Sequence, residues 1–421
     1  MLINSVKLLV RFLPVHTIVV FTLVGLLLYY VLKAQKAKTV FLAFWGFIFV
    51  CLYGHPSFAF LTLMLTVLVY LVAKSFVKMK NGFGKKSLLF LGIVFYIGVL
   101  FLFKYPFLKA RLPLMLQVKA LGISYFTFKF LHALIDTYRG RIKELDFATF
   151  LAFVFFFPTF SAGPIDRYIR FYRNFNEIDV SGGAGGNTGL AGDSVKLNID
   201  IGVSRIIFGL FKKFIIADKT GILIAKIAPD VLAAPRAVLW AVVFLYSVRI
   251  YYDFSGYTDI AIGLGRLFGF KVPENFNRPY LKPNIVLFWQ NWHMTLTSWL
   301  REYLFMPLGK LLIGFLGAGH TWIINGICQL VTMAAVGIWH GSTMGFLIWG
   351  LYHGAGLALY RLYADLLKRY GSERFVDRLN ESRFVRYGST VLTFIFVSIG
   401  WVFFSYRWDT AIRIVVKMVG M

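Results

Sequence analysis

The sequence predicts an all-α polytopic membrane protein of about ten or eleven transmembrane helices, with short re-entrant and interfacial helices between them. Three observations predict it. Of its 421 residues, 58% are hydrophobic and only 15% are charged, far more apolar than a soluble chain of this length. Several runs hold about 17 to 25 mostly apolar residues, enough to cross ~30 Å of hydrocarbon as a helix. No series of ten-residue segments alternates apolar and polar positions, as the strands of a membrane barrel would.

The 45 Lys+Arg against 19 Asp+Glu give a formal charge of +26. Enrichment of cytoplasmic loops in Lys and Arg accounts for part of it. The remainder suits anionic lipid head groups or an acidic, phosphate-bearing donor. Because these residues are spread over short loops and build no stripe, nucleic-acid binding is excluded. Cys51 and Cys328 lie inside apolar runs with no partner spacing, which excludes a disulfide scaffold and a cysteine zinc site.

Taken in order, residues 15–32 form a first span, too long for a signal-peptide core and with no small-residue cleavage site close behind. Spans follow over 39–53, 58–72 and 88–103. The lysines after the first and third place those loops in the cytoplasm and the His55 turn outside, where His55 reads as a surface residue. In the stretch from Gly122 to Arg139, Lys129, His132 and Asp136 share one helix face, a buried structural network first and a donor contact second. The apolar segment 147–160 is broken at Pro158 and Pro164, which is tolerated at membrane depth only inside protein or along a cavity.

Residues 181–194 are glycine-rich and read as a flexible loop within one continuous domain covering residues 1–421; no strand precedes them and no Gly-Lys-Ser follows, so they cradle no phosphate. The charges within 199–224 suggest an interfacial or steeply tilted helix. A span from Val238 runs into Asp253 and Asp259, which satisfy helix ends or pair with a basic side chain; with no histidine at ligand spacing, no metal site is expected. Asn284 is a helix N-cap, and Ile285, Phe288, Trp289, Trp292, Leu296, Trp299 and Tyr303 recur as one aromatic face of the helix it starts, with His293 at its edge. Spans carrying His340 and His353, a basic segment over 368–386 and a closing span over 391–404 complete the chain.

His340 is the first candidate for chemistry. An ionisable side chain in an apolar run faces the protein interior or a wet cavity, and a neutral imidazole takes a proton near physiological pH. Gly337 and Gly341 would let backbone or ligand approach it closely. The bland alternative is a core histidine bonded to a neighbouring carbonyl.

Several segments together resemble the membrane-bound O-acyltransferases, and most closely the bacterial branch that modifies alginate and teichoic acid. They are Gly122-Ile123-Ser124, Ala162-Gly163-Pro164, Tyr252-Asp253-Phe254-Ser255-Gly256-Tyr257, the stretch from Pro273 to Tyr280, Phe288 to His293, and Trp339-His340-Gly341. The resemblance runs from about Gly122 to Gly354. It implies that His340 is the catalytic histidine and His293 a second required one. It marks Trp339, Asn291, Trp292, Asp253, Ser255, Tyr257, Asn275, Asn277 and Arg278 as substrate-binding candidates, around a central tunnel.

The reaction so implied takes an acyl group, acetyl first, from a cytoplasmic coenzyme A or acyl-carrier-protein thioester. The acceptor is a hydroxyl of an extracytoplasmic polysaccharide or of a partner protein outside the membrane. No bound cofactor or metal is expected, and the location is the cell's inner or plasma membrane. His340 would be the general base in a water-poor passage reachable from both membrane faces. No Gly-x-Ser-x-Gly turn and no cysteine beside a basic cluster favours a covalent acyl-enzyme. D-alanyl transfer to teichoic acid, and in another class a transporter with a buried His/Asp relay, are the alternatives.

Overall fold

A computed structural model describes residues 15–118, 120–180, 195–372, 379 and 381–420. The glycine-rich loop over 181–194 lies outside the described residues. Among those described, regular structure is helical apart from a single antiparallel bridge between Phe276 and Trp292. The fold is all-α, and the chain forms two compact units, one within Leu2–Gly209 and Tyr257–Pro273, the other within Leu210–Gly256 and Glu274–Met421.

The first unit holds α1 (Val15–Val31), α2 (Gln35–Tyr53), α3 (Pro56–Lys78), α4 (Phe83–Lys104), α5 (Ile123–Tyr138), α6 (Phe147–Phe155), α7 (Tyr168–Val180) and all but the end of α8 (Val195–Leu210). Local chemistry sets the ends. Pro56 opens α3, and exposed His55 caps it by accepting from the Ser57 N–H. Asp146 caps α6 through the Thr149 N–H at 2.8 Å. α6 stops where Pro158 follows, and Gly122, at φ +76°, starts α5 where a side chain would meet the Phe160 carbonyl.

α5 is buried on nearly every side, and its polar residues are met from within the unit. His132 Nδ1 lies 3.1 Å from Asp136 Oδ2, and its Nε2 accepts from the Tyr168 N–H at 2.9 Å. Lys129 Nζ donates to the Phe153 carbonyl at 2.6 Å. The shared face of Lys129, His132 and Asp136 is a structural network.

In the second unit a π-helical stretch (Phe211–Ala217) and α9 (Asp218–Ile227) lead to α10 (Arg236–Leu267), which belongs to this unit as far as Gly256. Lys213 belongs to the charge-dense region over 199–224. It is buried and donates to Asp253 Oδ1 at 2.5 Å and Asp218 Oδ1 at 2.9 Å. Asp253 therefore pairs with a basic side chain.

Next come α11 (Ile285–Asn291), α12 (Met294–Leu300), α13 (Met306–Leu316), α14 (Thr321–His340), α15 (Met344–Tyr370) and α16 (Arg383–Ser405). Asn284 caps α11 through the Leu287 N–H at 2.8 Å. The single aromatic helix expected from Asn284 to Tyr303 is broken in two, because His293 takes φ +44°, outside the helical region. An element that the closing span conceals follows: α17 (Trp408–Val419) is amphipathic and buries Ala411, Ile414 and Met418 against Leu239, Val243 and Val402.

α14 and α15 form a close antiparallel pair. At Gly337 a Cβ would come 2.3 Å from the Phe346 carbonyl oxygen, and at Gly350 one would come 2.3 Å from that of Met333. Bare backbone at both positions sets the spacing of the pair.

Among the described residues, six helices are long and apolar enough to cross a membrane: Gln35–Tyr53, Pro56–Lys78, Phe83–Lys104, Arg236–Leu267, Ala318–His340 and Arg383–Ser405. The remaining helices of the expected count are shorter or more polar: α5 has 16 residues, and α15 carries Arg361, Asp365, Lys368 and Arg369 in its second half.

Gly350→Val is expected to destabilise the protein by about 1–3 kcal/mol through overpacking against Met333. A thermal melt of the detergent-solubilised protein unchanged from wild type would contradict this.

Candidate active site

His340 is the last residue of α14, and only 7% of it is exposed. Its ring packs among aromatic rings, with centroids of Trp339 at 4.6 Å, Phe404 at 4.9 Å, Trp349 at 5.2 Å and Phe346 at 6.1 Å. The flanking glycines serve helix packing: Gly337 meets the Phe346 backbone and a Cβ at Gly341 would lie 2.5 Å from the Phe346 ring. α15 occupies the close approach that the sequence reading left open to a ligand.

His293 is built by backbone pairing. A strap from Glu274 to Tyr280 runs beside the α11–α12 junction, where the Asn277 N–H donates to the Asn291 carbonyl at 3.1 Å and the Met294 N–H to the Asn275 carbonyl at 2.9 Å. Two residues with side chains, Arg278 at φ +48° and His293 at φ +44°, take the left-handed conformation among the described residues. Such conformations cost about 1–3 kcal/mol and persist only where surrounding contacts hold them.

Asn275 supplies those contacts. Its Oδ1 accepts from Thr295 Oγ1 at 2.6 Å and from the Thr295 N–H at 3.3 Å, and lies 3.2 Å from His293 Nδ1. With that oxygen committed as acceptor, His293 Nδ1 carries the proton and Nε2 keeps its lone pair. Nε2 is buried and has no hydrogen-bond partner among the described residues. Phe254 packs against the ring with its centroid at 4.7 Å. Burial pushes the His293 pKa down to about 3, so the ring is neutral at physiological pH.

The two histidines share one aromatic cluster. From His340 the contacts pass to Trp349, then to Trp401 at 5.9 Å and Trp292 at 5.1 Å, the residue before His293. Trp292 also meets Tyr251, Phe276, Tyr280 and Phe288, and is the hub of this packing.

The other candidate residues separate. Asn291 donates from Nδ2 to the Leu287 carbonyl at 2.8 Å while its carbonyl holds the strap. Asn277 and Arg278 are exposed on that strap. Asp253 is tied to Lys213, and Ser255, two residues on, is buried with its hydroxyl unpartnered among the described residues. Tyr257 belongs to the other unit, where its hydroxyl lies 2.6 Å from Ser161 Oγ.

Sequence reasoning gave His353 no role, yet it is fully buried and neither ring nitrogen has a hydrogen-bond partner among the described residues. Trp349 at 5.1 Å and Trp289 at 5.3 Å lie against it, and a Cβ at Gly400 would come 2.6 Å from its Nε2. The signal was present: Tyr352-His353-Gly354 repeats the aromatic-His-Gly order of Trp339-His340-Gly341. Among the described residues no group of His, Cys, Asp and Glu could hold a metal ion.

A cavity of about 340 Å³ lies between α11, α12 and residues 301–305 on one side and the α14–α15 pair on the other; its lining reaches Val336, one helical turn before His340.

Comparison with known proteins adds to this geometry. The profile of MBOAT, the membrane-bound O-acyltransferase family, matches residues 47–406. The chain is 29% identical to the peptidoglycan O-acetyltransferase of Helicobacter pylori, over 94% of this chain and 77% of that one. It is 34% identical to the probable alginate O-acetylase of Pseudomonas aeruginosa over 68% of this chain but 48% of that one, so the match spans about half of the alginate relative. With the teichoic acid D-alanyltransferase of Bacillus subtilis it shares 31% identity, over 68% and 69%.

The His293 geometry predicts a pH effect. The folded ring titrates at about 3 and the free ring at 6.5, so between these values the unfolded chain binds more protons. The contribution of His293 to stability is complete above 6.5 and is lost as the pH falls toward 3. His293→Asn tolerates the left-handed backbone and is expected to melt with a shallower pH dependence over that window. Parallel pH–melting curves for variant and wild type would refute the assignment.

Proposed function

The chain belongs to the membrane-bound O-acyltransferase family, and from that premise we propose the following transfer. An acetyl group passes from a cytoplasmic thioester, on coenzyme A or a carrier protein, to a hydroxyl of an extracytoplasmic cell-surface polysaccharide or of a partner protein. A passage through the protein brings the two substrates together. That the chain is a multi-pass membrane acyltransferase follows from the family itself.

The observation that carries the mechanism is that His340 closes α14 inside an aromatic enclosure whose contacts extend to the segment holding His293. In this mechanism the neutral His340 imidazole accepts the proton of the acceptor hydroxyl as its oxygen attacks the thioester carbonyl. The new C–O bond forms, the C–S bond breaks, and the departing thiolate takes the proton from the imidazolium to leave as a thiol. The aromatic walls exclude water, which would otherwise hydrolyse the thioester. His293, with Nε2 bare and Nδ1 fixed by Asn275, orients a hydroxyl or amide N–H of a substrate.

Acetyl is favoured by the activities for which the peptidoglycan and alginate relatives are named. D-alanine is the competing cargo, carried by the teichoic acid relative. Mass spectrometry of surface polymers from cells with and without the chain separates the two by the mass added.

His340→Ala, reconstituted in membranes with acetyl thioester and acceptor polymer, is expected to lose about 10²–10⁴-fold in transfer rate while remaining folded. Transfer at the wild-type rate would overturn the mechanism.

A further inference from the structure

The strap that fixes His293 at one end meets the wall around His340 at the other. Asn275, near its start, lies against His293 Nδ1. Tyr280, at its end, sets its hydroxyl between two helices: it donates to the Ser247 carbonyl on α10 at 2.8 Å and accepts from Trp401 Nε1 on α16 at 3.2 Å. The Tyr280 ring packs on Tyr251, Phe288, Trp292 and Phe394, with centroids between 5.2 and 6.0 Å away.

Trp401 is the ring that this bond reaches, and it is only 1% exposed. It touches Trp292 on the His293 side at 5.1 Å, and Trp349 and Phe404 on the His340 side at 5.9 and 5.6 Å. Those two rings lie 5.2 and 4.9 Å from the His340 imidazole. Contact between rings sets their distance better than their orientation, because an indole turned over about χ2 still presents an apolar face. A hydrogen bond to Nε1 selects one orientation. The neighbouring Trp289 and Trp349 leave their indole N–H without a hydrogen-bond partner among the described residues, so this cluster does not satisfy its indoles as a matter of course. Trp401, between the two histidines, is anchored.

We infer that Tyr280 is a positioning residue for the transfer: its hydroxyl locks the Trp401 ring, and through Trp349 and Phe404 that ring holds the His340 imidazole in place. Because Asn275 belongs to the same strap, one short segment orders both histidines. Tyr280 touches no reacting atom. Without its hydroxyl Trp401 is free to turn over, and the wall around the base loosens. A misplacement of about 1 Å in an active site can cost about 10²-fold in rate. That a loosened His340 transfers more slowly rests on the acyl-transfer reading; that Tyr280 fixes the ring does not.

Tyr280→Phe tests this by deleting one oxygen and keeping the ring. Ser398→Ala is the matched control: Ser398 Oγ accepts from Ser247 Oγ at 2.9 Å and joins the same two helices through hydroxyls that do not bond to Trp401. Full-length protein carrying carbon-13-labelled histidine is examined by NMR in detergent. The Cε1–H signal of His340, identified by its loss in His340→Asn, is displaced by the ring currents of Trp349 and Phe404. In Tyr280→Phe it is expected to broaden or move toward the position of an exposed histidine, and in Ser398→Ala to stay. Acetyl transfer from a thioester to acceptor polymer is expected to fall by about 10- to 100-fold in kcat at unchanged KM in Tyr280→Phe, and to stay near wild type in Ser398→Ala. A His340 signal that stays in place in Tyr280→Phe, or that Ser398→Ala moves as far, overturns the inference, and so does a loss confined to KM. If the wild type transfers no acetyl group, the acyl-transfer reading fails and the His340 signal decides the inference by itself. Should Tyr280→Phe fail to fold, Trp401→Phe deletes the same bond from the donor's side and is judged by the same signal.

Discussion

A charge inside a bundle of apolar helices has no water to turn to, so it has to be met by another side chain. In the second unit that requirement falls on Lys213, set between Asp253 and Asp218. Desolvating an ammonium and a carboxylate costs several kcal/mol per ion, and breaking such a pair leaves a buried charge uncompensated. The pair therefore fixes how the π-helical stretch lies against α10, and α10 carries Phe254, which packs on His293. In the first unit the same requirement is met by His132 with Asp136, and by Lys129 with the carbonyls freed where α6 ends before Pro158.

Close helix packing positions His340. Because Gly337 and Gly350 have no side chains, α14 and α15 approach to backbone contact, and the turn after His340 is short enough to bring Phe346 and Trp349 onto the imidazole. Trp349 and Trp401 extend the packing to Trp292. Rings of this size lose few rotamers on burial and make a rigid wall, and rigidity is what the general base proposed above needs to hold its geometry.

At His293 the surrounding contacts hold an unfavourable backbone in place. A left-handed histidine between two short helices is held by the paired strap and by Asn275, which fixes the tautomer at the same time. Nε2 is left as a buried acceptor with no hydrogen-bond partner among the described residues. Such an atom costs stability in the empty protein and is useful only when a donor from a substrate reaches it.

Much was legible in the chain itself. Long apolar runs dictated helices in a membrane, because no other structure satisfies the backbone there. Asn284 announced its helix by its own side-chain chemistry, and the order of motifs from Gly122 to Gly354 carried the family. Histidine within an apolar run singled out His340. What the sequence could not supply was anything decided by contacts between distant segments. The break at His293 depends on a strap whose pairing residues precede it by some fifteen positions, so the aromatic period ran across it unnoticed. The partner of Lys213 is set only when the fold brings it against Asp253, and His353 drew no attention because its isolation from hydrogen-bond partners among the described residues exists only once Trp289, Trp349 and Gly400 surround it. Periodicity and composition are local sums and are read from the chain alone; the pairing of polar groups is a property of the space they come to share, and the tertiary structure alone decided it.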